Sequence, residues 1–421
     1  MHHFNYKDGE LYCEEVPLRR IAEEVGTPCY VYSRATLERH FLAFDQAFNG
    51  IEHLTCFSVK ALSNLAVLRL FANLGSGFDI VSGGELFRVE KAGGEMGKVV
   101  FSGVSKSESE LRYALEKDIL LFNVESESEL KLLNQIAGAM GKKARVALRI
   151  NPDIDPQTHP HISTGLKTSK FGIELDKARE LFRRWKEYPH LEFCGVDCHI
   201  GSQLLKLAPI VEALSHLVQL VVELRGLGLD INYLDLGGGL GIAYNDEEPP
   251  PPKEYAREVS AAAREVNCKL ILEPGRVIAG NAGILLLRVV YLKETGAKKF
   301  VIVDGGMNDL IRPALYGAYH EVLPVNKKEA KPGNIVDLVG PICETTDFLA
   351  KNRAFPDVKP GELLAVMSAG AYGFVMASHY NAHPLPAEAL VSGKDFYVVR
   401  ERERLEDLTS KERIPEFLLK R

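Results

Sequence analysis

Eight short apolar segments recur along the first two thirds of the chain, and segments with helical periodicity separate them. Most are continuous apolar runs rather than alternations, which is typical of parallel strands covered on both faces. Eight strands alternating with helices over about 240 residues predict a (β/α)8 TIM barrel, with a doubly wound sheet as the alternative. The segments are residues 54–59, 78–81, 99–102, 119–124, 144–150, 193–200, 233–236 and 270–272.

Polar residues stand at or just after the ends of these predicted strands. In a β/α barrel the carboxyl ends of all strands meet at one mouth, where the chemistry of such proteins takes place. This placement favours the barrel over the doubly wound sheet. The residues are Lys60, Ser102, Asn123, Asn151, His199, the glycines 237–239 and Glu273.

The pattern changes near residue 282, where strand-like segments follow one another with few long helical patterns between them. We therefore predict a barrel domain of residues 36–281 and a C-terminal β domain, a sandwich or barrel, of residues 282–421. Residues 1–35 include the strand-like segment 29–32 and are expected to pack with the β domain. The C-terminal strand-like segments are residues 284–292, 300–303, 334–339, 363–367 and 396–399.

Helix starts are marked by serines. Ser33 precedes a segment with apolar residues three or four apart, and it is expected to cap a helix. Ser107 with Glu110, and Ser126 with Glu129, fit the capping box, in which a serine and a glutamate three residues later satisfy each other's backbone N–H groups.

Charge and cysteine content narrow the function classes. The 421 residues include 51 Lys and Arg against 57 Asp and Glu, a net charge of −6, which gives no bulk attraction for nucleic acid or an anionic membrane. No apolar stretch approaches the ~18–20 residues of a membrane span, and the first residues lack a secretory pattern. The seven scattered cysteines indicate reduced thiols in the cytoplasm. No metal site is expected, although Cys194, Cys198 and His199 are close in sequence.

Lys60 follows the first predicted strand directly. A lysine there can extend outward from a helix start with its stem packed on apolar surface. Alternatively, partial desolvation activates its amine to form a Schiff base. Lys60 alone leaves both readings open. Asp79, at the end of the next strand, is expected to be a structural hydrogen-bonding group.

Three further motifs follow later strands. The glycines 237–239 let the backbone approach a ligand and can cradle phosphate, although a tight turn is the simpler reading. Glu273 either pairs with Arg276 or faces a cationic ring nitrogen. His199 is a core histidine, a base or a flat surface for an aromatic cofactor. Together with a Schiff-base lysine, these features match what pyridoxal phosphate requires of a protein.

Several motifs in fixed order resemble the fold-type III pyridoxal phosphate enzymes, and within them the diaminopimelate decarboxylase family, over essentially the full chain. That resemblance implies a β/α barrel joined to a C-terminal β domain. The lysine motif FSVKAL stands where the family usually has YAVKAN, and CETTD replaces the more common CES-x-D, but the reactive residues are retained. The motifs lie at residues 26–32, 151–152, 158–165, 170–172, 304–308, 312–320, 340–347 and 370–373.

The resemblance implies roles at the cofactor. Lys60 would bind pyridoxal phosphate as a Schiff base, His199 would stack on the pyridine ring, and Glu273 would bind the ring nitrogen. A carboxylate there keeps the nitrogen protonated and strengthens the electron sink. The phosphate would be held by Ser202, Gly238, Gly239 and Tyr372, with Glu273, Pro274, Gly275 and Arg276 alongside.

The resemblance also implies the reaction, namely decarboxylation of meso-2,6-diaminopimelate to L-lysine and carbon dioxide, the last step of lysine biosynthesis. Cys343 would donate a proton, and it would come from the other subunit of a homodimer. Arginine suits the substrate's second carboxylate and glutamate its second ammonium. The implied substrate-binding residues are Arg276, Arg312, Tyr316, Glu344 and Tyr372.

Without the resemblance these C-terminal residues have simpler readings. Arg312 and Glu344 would be surface charges, Tyr316 and Tyr372 packing residues, and Cys343 a small buried hydrophobe.

Competing functions are a decarboxylase of ornithine, arginine or carboxynorspermidine and a non-catalytic pyridoxal phosphate-binding protein. Such a decarboxylase has no need for residues that bind a second amino-acid end of its substrate. The non-catalytic binding protein is expected to lack the β domain. A racemase is disfavoured because it would pair the ring nitrogen with a cation.

Overall fold

The computed structural model describes residues 2–154, 169–327 and 333–419. The chain divides into two compact units: Leu37–Gly280, and a second unit made of Met1–Thr36 with Asn281–Arg421. The histidine-containing motif at residues 158–165 lies outside the described residues.

The strands are, in chain order, β1 (Phe4–Lys7), β2 (Glu10–Cys13), β3 (Val16–Pro17), β4 (Cys29–Ser33), β5 (His53–Ser58), β6 (Gly77–Ile80), β7 (Val99–Phe101), β8 (Leu121–Val124), β9 (Ala144–Asn151), β10 (Ile173–Glu174), β11 (Leu191–Asp197), β12 (Tyr233–Asp235), β13 (Lys269–Leu272), β14 (Gly283–Glu294), β15 (Lys299–Val303), β16 (Val322–Pro324), β17 (Asn334–Val339), β18 (Phe348–Phe355), β19 (Leu363–Val366), β20 (Ala387–Ser392) and β21 (Asp395–Arg400).

The helices are α1 (Leu18–Glu24), α2 (Arg34–Asp45), α3 (Leu65–Asn73), α4 (Gly83–Lys91), α5 (Glu108–Glu116), α6 (Glu127–Ala139), α7 (Leu175–Arg183), α8 (Ala208–Gly226), α9 (Pro252–Val266), α10 (Arg276–Ala279), α11 (Arg312–Tyr316), α12 (Leu405–Thr409) and α13 (Glu416–Leu419). Within the described ranges, none of these helices combines the length and apolar character needed to cross a membrane.

The first unit is a closed barrel of eight parallel strands, so the predicted (β/α)8 fold is confirmed. The strands pair in the order β9-β11-β12-β13-β5-β6-β7-β8, and β8 pairs with β9 to close the ring. Helices α3 to α9 alternate with the strands and bury apolar faces, such as Val67, Leu68 and Phe71 on α3. Each strand is therefore covered on both faces, which accounts for its continuous apolar sequence.

The barrel interior is layered because residues two apart on a strand point to the same side. One interior layer is apolar and includes Cys56, Val100, Leu121, Ala147 and Ile271. Two residues further along the strands, towards their carboxyl ends, comes a second layer that is polar and buried. This polar layer consists of Ser58, Asp79, Ser102, Asn123, Arg149, Asp197, Asp235 and Glu273.

Two of the predicted helix starts form in full and one forms in part. The hydroxyl of Ser33 accepts the Thr36 N–H at the start of α2, and Ser107 with Glu110 forms the complete capping box of α5. Ser126 caps α6, but the Glu129 carboxylate binds the Glu125 N–H instead of completing the box. Glu129 is drawn there because the buried Lys106 ammonium lies 2.6 Å away.

The second unit contains a sheet of strand order β18-β17-β15-β14-β4-β20-β21, with β19 pairing β14 and β16. The N-terminal strand β4 lies inside this sheet, antiparallel to β14 and parallel to β20. Strands β16, β18 and β20 of this unit were not predicted. In β18 the exposed Lys351 and Asn352 interrupt the apolar signal.

Candidate active site

Lys60 lies in a single 3-10 turn, Val59–Ala61, directly after β5. Its Nζ is 2.6 Å from Oδ2 of Asp79, a fully buried carboxylate near the end of β6. The Ser58 hydroxyl lies 2.8 Å from the same oxygen and 3.0 Å from the backbone oxygen of Glu273. The ammonium is therefore directed at the polar layer, which disfavours the outward-pointing alternative, and Asp79 contacts the predicted Schiff-base lysine directly.

Glu273 follows β13 and is buried in the polar layer. Its Oε1 lies 3.3 Å from the Ser102 hydroxyl and 3.4 Å from Nδ2 of Asn123. Burial, and then the nearby Asp235 and Asp79 carboxylates, raise the pKa of Glu273 well above its ordinary value. A carboxyl in this environment needs a proton or an additional cation beside it.

Asp235 is a neighbour of Glu273 that sequence reasoning missed. Its Oδ2 accepts a hydrogen bond from Nδ2 of Asn123 at 2.9 Å, and its Oδ1 accepts the Gly237 N–H at 2.9 Å. Burial raises the pKa of Asp235 to about 6 and that of Asp197 well above its usual range. The polar layer thus holds several carboxyl groups whose ionisation is suppressed.

Arg149 supplies a buried cation to this layer and was also missed. Its Nη1 binds Oε1 of Glu125 at 2.8 Å, and its Nε lies 3.9 Å from Oδ2 of Asp197. Nη2 reaches the backbone oxygen of His199 at 3.5 Å. An arginine inside an apolar strand was the available signal, since such a charge requires an internal partner.

His199 is held against the glycine run. Its Nδ1 accepts the Gly238 N–H at 3.1 Å, and a Cβ on Gly237 would lie 2.5 Å from the same nitrogen. Burial, and then the charges of Arg149 and Lys60, lower the pKa of His199 well below its ordinary value. The imidazole is therefore neutral, and Nε2 carries its proton, because Nδ1 is the acceptor. A neutral flat ring fits the stacking prediction.

Glycine is required at positions 238 and 239 because backbone atoms of neighbouring loops approach them closely. A Cβ on Gly238 would lie 2.1 Å from the backbone oxygen of Glu273. Gly239 has φ +116°, and a Cβ there would lie 2.5 Å from the backbone oxygen of Gly201. Because no side chain fits at either position, the run brings the loops after β11, β12 and β13 together.

Arg276 begins α10 and is buried. Its Nη2 donates to the Ser202 hydroxyl at 3.0 Å, and its Nη1 donates to the Tyr244 hydroxyl at 2.6 Å. Two residues that were predicted separately, Ser202 and Arg276, are therefore in contact. Tyr244 is a further partner of Arg276 that was not predicted. Nearby, the Pro274 carbonyl accepts the Ser58 N–H, and a Cβ on Gly275 would lie 2.9 Å from the Cβ of Ala61.

The remaining predicted residues belong to the second unit. Arg312 is buried in α11, donates from Nε to His320 at 3.3 Å and lies 5.8 Å from the Tyr316 ring centroid. Buried Arg312 therefore departs from the surface-charge reading. Tyr372 has φ +56°, a left-handed conformation that is uncommon for a tyrosine.

Cys343 and Glu344 lie on an exposed loop of the same unit. Cys343 is exposed, whereas the other six cysteines are buried, so the reading of Cys343 as a buried hydrophobe is wrong. The Glu344 carboxylate accepts a hydrogen bond from the Tyr380 hydroxyl at 3.2 Å.

Comparison with known proteins places this geometry in a class. Residues 34–280, which span the barrel, match the family described as "Pyridoxal-dependent decarboxylase, pyridoxal binding domain". The chain belongs to the pyridoxal-dependent decarboxylases.

Individual relatives indicate one family within this class of decarboxylases. Diaminopimelate decarboxylases of Vibrio cholerae and Pseudomonas aeruginosa are 52% and 55% identical to the chain, covering 98% and 96% of it and 99% and 97% of their own lengths. The crystal structure of diaminopimelate decarboxylase from M. jannaschii with L-lysine matches with a TM-score of 0.94 at 39% identity, covering 99% of this chain and 100% of that one. The chain is a member of the diaminopimelate decarboxylase family.

Proposed function

We propose that this protein removes carbon dioxide from meso-2,6-diaminopimelate and yields L-lysine, with pyridoxal phosphate as cofactor. The observation that carries the proposal is near full-length identity of about one half to named diaminopimelate decarboxylases. The chain retains both the Lys60 site of the barrel and the Cys343 loop of the second unit. The reaction is the last step of lysine biosynthesis.

The barrel residues fit the cofactor. Glu273 is a buried carboxyl whose raised pKa calls for a cation, and a protonated pyridine nitrogen supplies one. The neutral ring of His199 offers a flat face, and Lys60 offers an amine. Ser202 and Arg276 meet beside the glycine loops, where a phosphate needs a cation and hydrogen-bond donors.

When bound, pyridoxal phosphate supplies an electron sink for the electron pair left by the departing carboxylate. Lys60 holds the cofactor, and Asp79, 2.6 Å from its Nζ, orients the amine and balances its charge. Glu273 keeps the ring nitrogen protonated. The neutral imidazole of His199 fixes the ring plane without adding a charge that would oppose that nitrogen.

Selection of diaminopimelate requires residues that bind the second amino-acid end of the substrate. We assign the distal carboxylate to Arg276 and Arg312, since a guanidinium binds carboxylate through paired N–H groups. Glu344 is assigned to the distal ammonium, while Tyr316 and Tyr372 line the same substrate. Ornithine and arginine lack this second full amino-acid end and would leave the arginines without their carboxylate.

The assay that tests this assignment compares substrates. Purified protein with pyridoxal phosphate is incubated separately with meso-diaminopimelate, ornithine, arginine and carboxynorspermidine, and carbon dioxide is measured. We expect release from diaminopimelate alone. Turnover of another substrate in its place would overturn the substrate assignment, and absence of turnover with retained cofactor would favour a non-catalytic binding protein.

We further propose a homodimer in which Cys343 of one subunit serves the Lys60 site of the other. Mixing Lys60→Ala and Cys343→Ala subunits tests this arrangement, because a mixed dimer then keeps one intact site. Random mixing is expected to restore about one quarter of wild-type activity. Recovery of no activity, with mixed dimers demonstrated, would show that both residues act within one chain.

A cytoplasmic location is proposed as well. All seven cysteines are unpaired, which suits a reducing compartment. Fractionation of cells producing the protein, followed by immunodetection, tests this location, and recovery in a membrane or extracellular fraction would contradict it.

A further inference from the structure

The loop that carries Cys343 and Glu344 is anchored from within by one buried carboxylate. Asp347 accepts the Ile342 N–H at 2.6 Å with Oδ2 and the Met307 N–H at 2.7 Å with Oδ1. The Asp347 N–H in turn donates to the Glu344 carbonyl at 3.1 Å. These bonds fix both ends of residues 342–347, but the Cys343 backbone itself lies on the exposed side.

A second segment contacts that exposed side. The 3-10 turn Tyr380–Ala382 places Oδ1 of Asn381 2.7 Å from the Cys343 N–H, which it accepts as a hydrogen bond. The Tyr380 hydroxyl reaches the Glu344 carboxylate at 3.2 Å. Adjacent residues of one turn thus contact adjacent residues of the loop.

The turn is itself held in place. The Ser378 N–H donates to the Asn308 carbonyl at 2.8 Å, before the turn. The His379 ring is 2.6 Å from the Glu403 carboxylate, which also accepts the Leu385 N–H after the turn. Glu403 therefore connects both sides of the turn.

Asn381 has a backbone conformation that few residues adopt. Its φ is +54°, in the left-handed region, where asparagine and aspartate are favoured among residues with a side chain. Asparagine at this position therefore combines a tolerated left-handed backbone with an amide oxygen aimed at the Cys343 N–H.

We infer that Asn381 is a positioning residue that fixes the backbone at Cys343 and thereby the direction of its thiol. The inference rests on the proposed function, in which Cys343 donates a proton. A proton donor must lie within about 3 Å of its acceptor, and a displacement of about 1 Å can cost a factor of about 100 in rate.

Three variants distinguish the effect of the Asn381 side chain from the effect of its backbone conformation. Asn381→Gly removes the amide but accepts the left-handed backbone without strain. Asn381→Asp keeps an acceptor oxygen and tolerates the same φ. Ala382→Gly is the matched control, because Ala382 also has a left-handed φ, +59°, but offers no polar side chain.

Two readouts are taken on the cofactor-loaded enzyme. The first is kcat and KM with meso-diaminopimelate. The second is the rate of alkylation by iodoacetamide from pH 7 to 10, which reports on Cys343 because the other six cysteines are buried. Variants are compared by the limiting rate at high pH, which reports on access of the reagent to the thiol.

We expect Asn381→Gly to lower kcat at least tenfold, to leave KM within twofold and to raise the limiting alkylation rate at least threefold. Asn381→Asp should keep kcat and the limiting alkylation rate near their wild-type values, and Ala382→Gly should match the wild type in both. Asn381→Gly with wild-type kcat or an unchanged limiting alkylation rate would overturn the role. If the wild type does not decarboxylate diaminopimelate, the proposed function fails and this inference fails with it.

Discussion

Replacing Asp235 by asparagine is expected to change the free energy of unfolding of the cofactor-free protein in a pH-dependent way. Relative to the wild type, the variant should be more stable at pH 7 than it is at pH 4. Burial raises the pKa of Asp235 from 3.8 to about 6, so the folded chain holds a proton that the unfolded chain releases between those values. Stability therefore falls as pH rises from about 4 to about 6, because the folded state binds more protons there. Asparagine does not titrate and removes this dependence.

The magnitude follows from the pKa difference. A change of about 2 units, at about 1.4 kcal/mol each, destabilises the wild type by about 3 kcal/mol at pH 7. Near pH 4 most of this contribution is absent. Replacing the carboxylate also changes its bonds to Asn123 and Gly237, by about 1–2 kcal/mol, but that change does not depend on pH. Among the described residues, Oδ1 of Asn123 has no partner, so the Asn123 amide can rotate to accept a hydrogen bond from the amide introduced at position 235.

The assay is urea unfolding of cofactor-free wild type and Asp235→Asn at pH 4, 5, 6 and 7. The free energy of unfolding of the variant, relative to the wild type, should rise by about 2–3 kcal/mol from pH 4 to pH 7. Asp45→Asn is the control, since a hydrogen bond from His53 lowers the pKa of Asp45. The contribution of such a carboxylate is lost only as pH falls below about 4, so Asp45→Asn should show no comparable rise between pH 4 and pH 6. A difference between Asp235→Asn and wild type that is constant with pH would show that Asp235 has no raised pKa in the folded protein.

The same charges explain why a cationic ring belongs beside Glu273. Asp79, Asp197 and Asp235 lie in the polar layer with it. The cations that face these carboxyl groups are the Arg149 guanidinium and the Lys60 ammonium beside Asp79. A protonated ring nitrogen adds a positive charge to this layer and lowers the cost of ionising Glu273. Bound cofactor should accordingly reduce the pH dependence of wild-type stability.

Three further predictions concern single residues. Lys60→Ala should lose the visible absorbance of lysine-bound cofactor, and a surviving band would place the anchor elsewhere. Cys343→Ala should retain the cofactor but lose about 100-fold or more in kcat, while near-normal turnover would remove Cys343 from the mechanism. Gly238→Ala should weaken pyridoxal phosphate binding at least tenfold in an equilibrium titration, because its Cβ would lie 2.1 Å from the Glu273 carbonyl. Unchanged affinity would show that the loop adjusts without cost.

The barrel could be predicted because its signal is local. Each strand carries its own apolar run, and the carboxyl end of each strand is marked by the polar residue that follows. Lys60, His199 and Glu273 are marked in this way. Their contacts could not be predicted, since the Asn123–Asp235 bond joins strands 112 residues apart in sequence.

The polar layer of the barrel also has a sequence signature, a regularity at spacing two. In strands β5, β8 and β13, a buried apolar residue is followed two positions later by a buried polar one, as in Leu121 and Asn123 or Ile271 and Glu273. Applying it to every strand would have marked Arg149 and Asp235. No comparable period exists for the turn at Asn381, whose position depends on contacts with distant segments.

The mass balance of the reaction tests the proposed decarboxylation. Purified protein with pyridoxal phosphate is given meso-diaminopimelate, and carbon dioxide and L-lysine are both quantified, with Lys60→Ala as the blank. We expect equal amounts of the two products from the wild type and neither from the variant, as the proposed decarboxylation requires. Diaminopimelate left unconsumed by cofactor-loaded wild type, or consumed without formation of lysine, would contradict it.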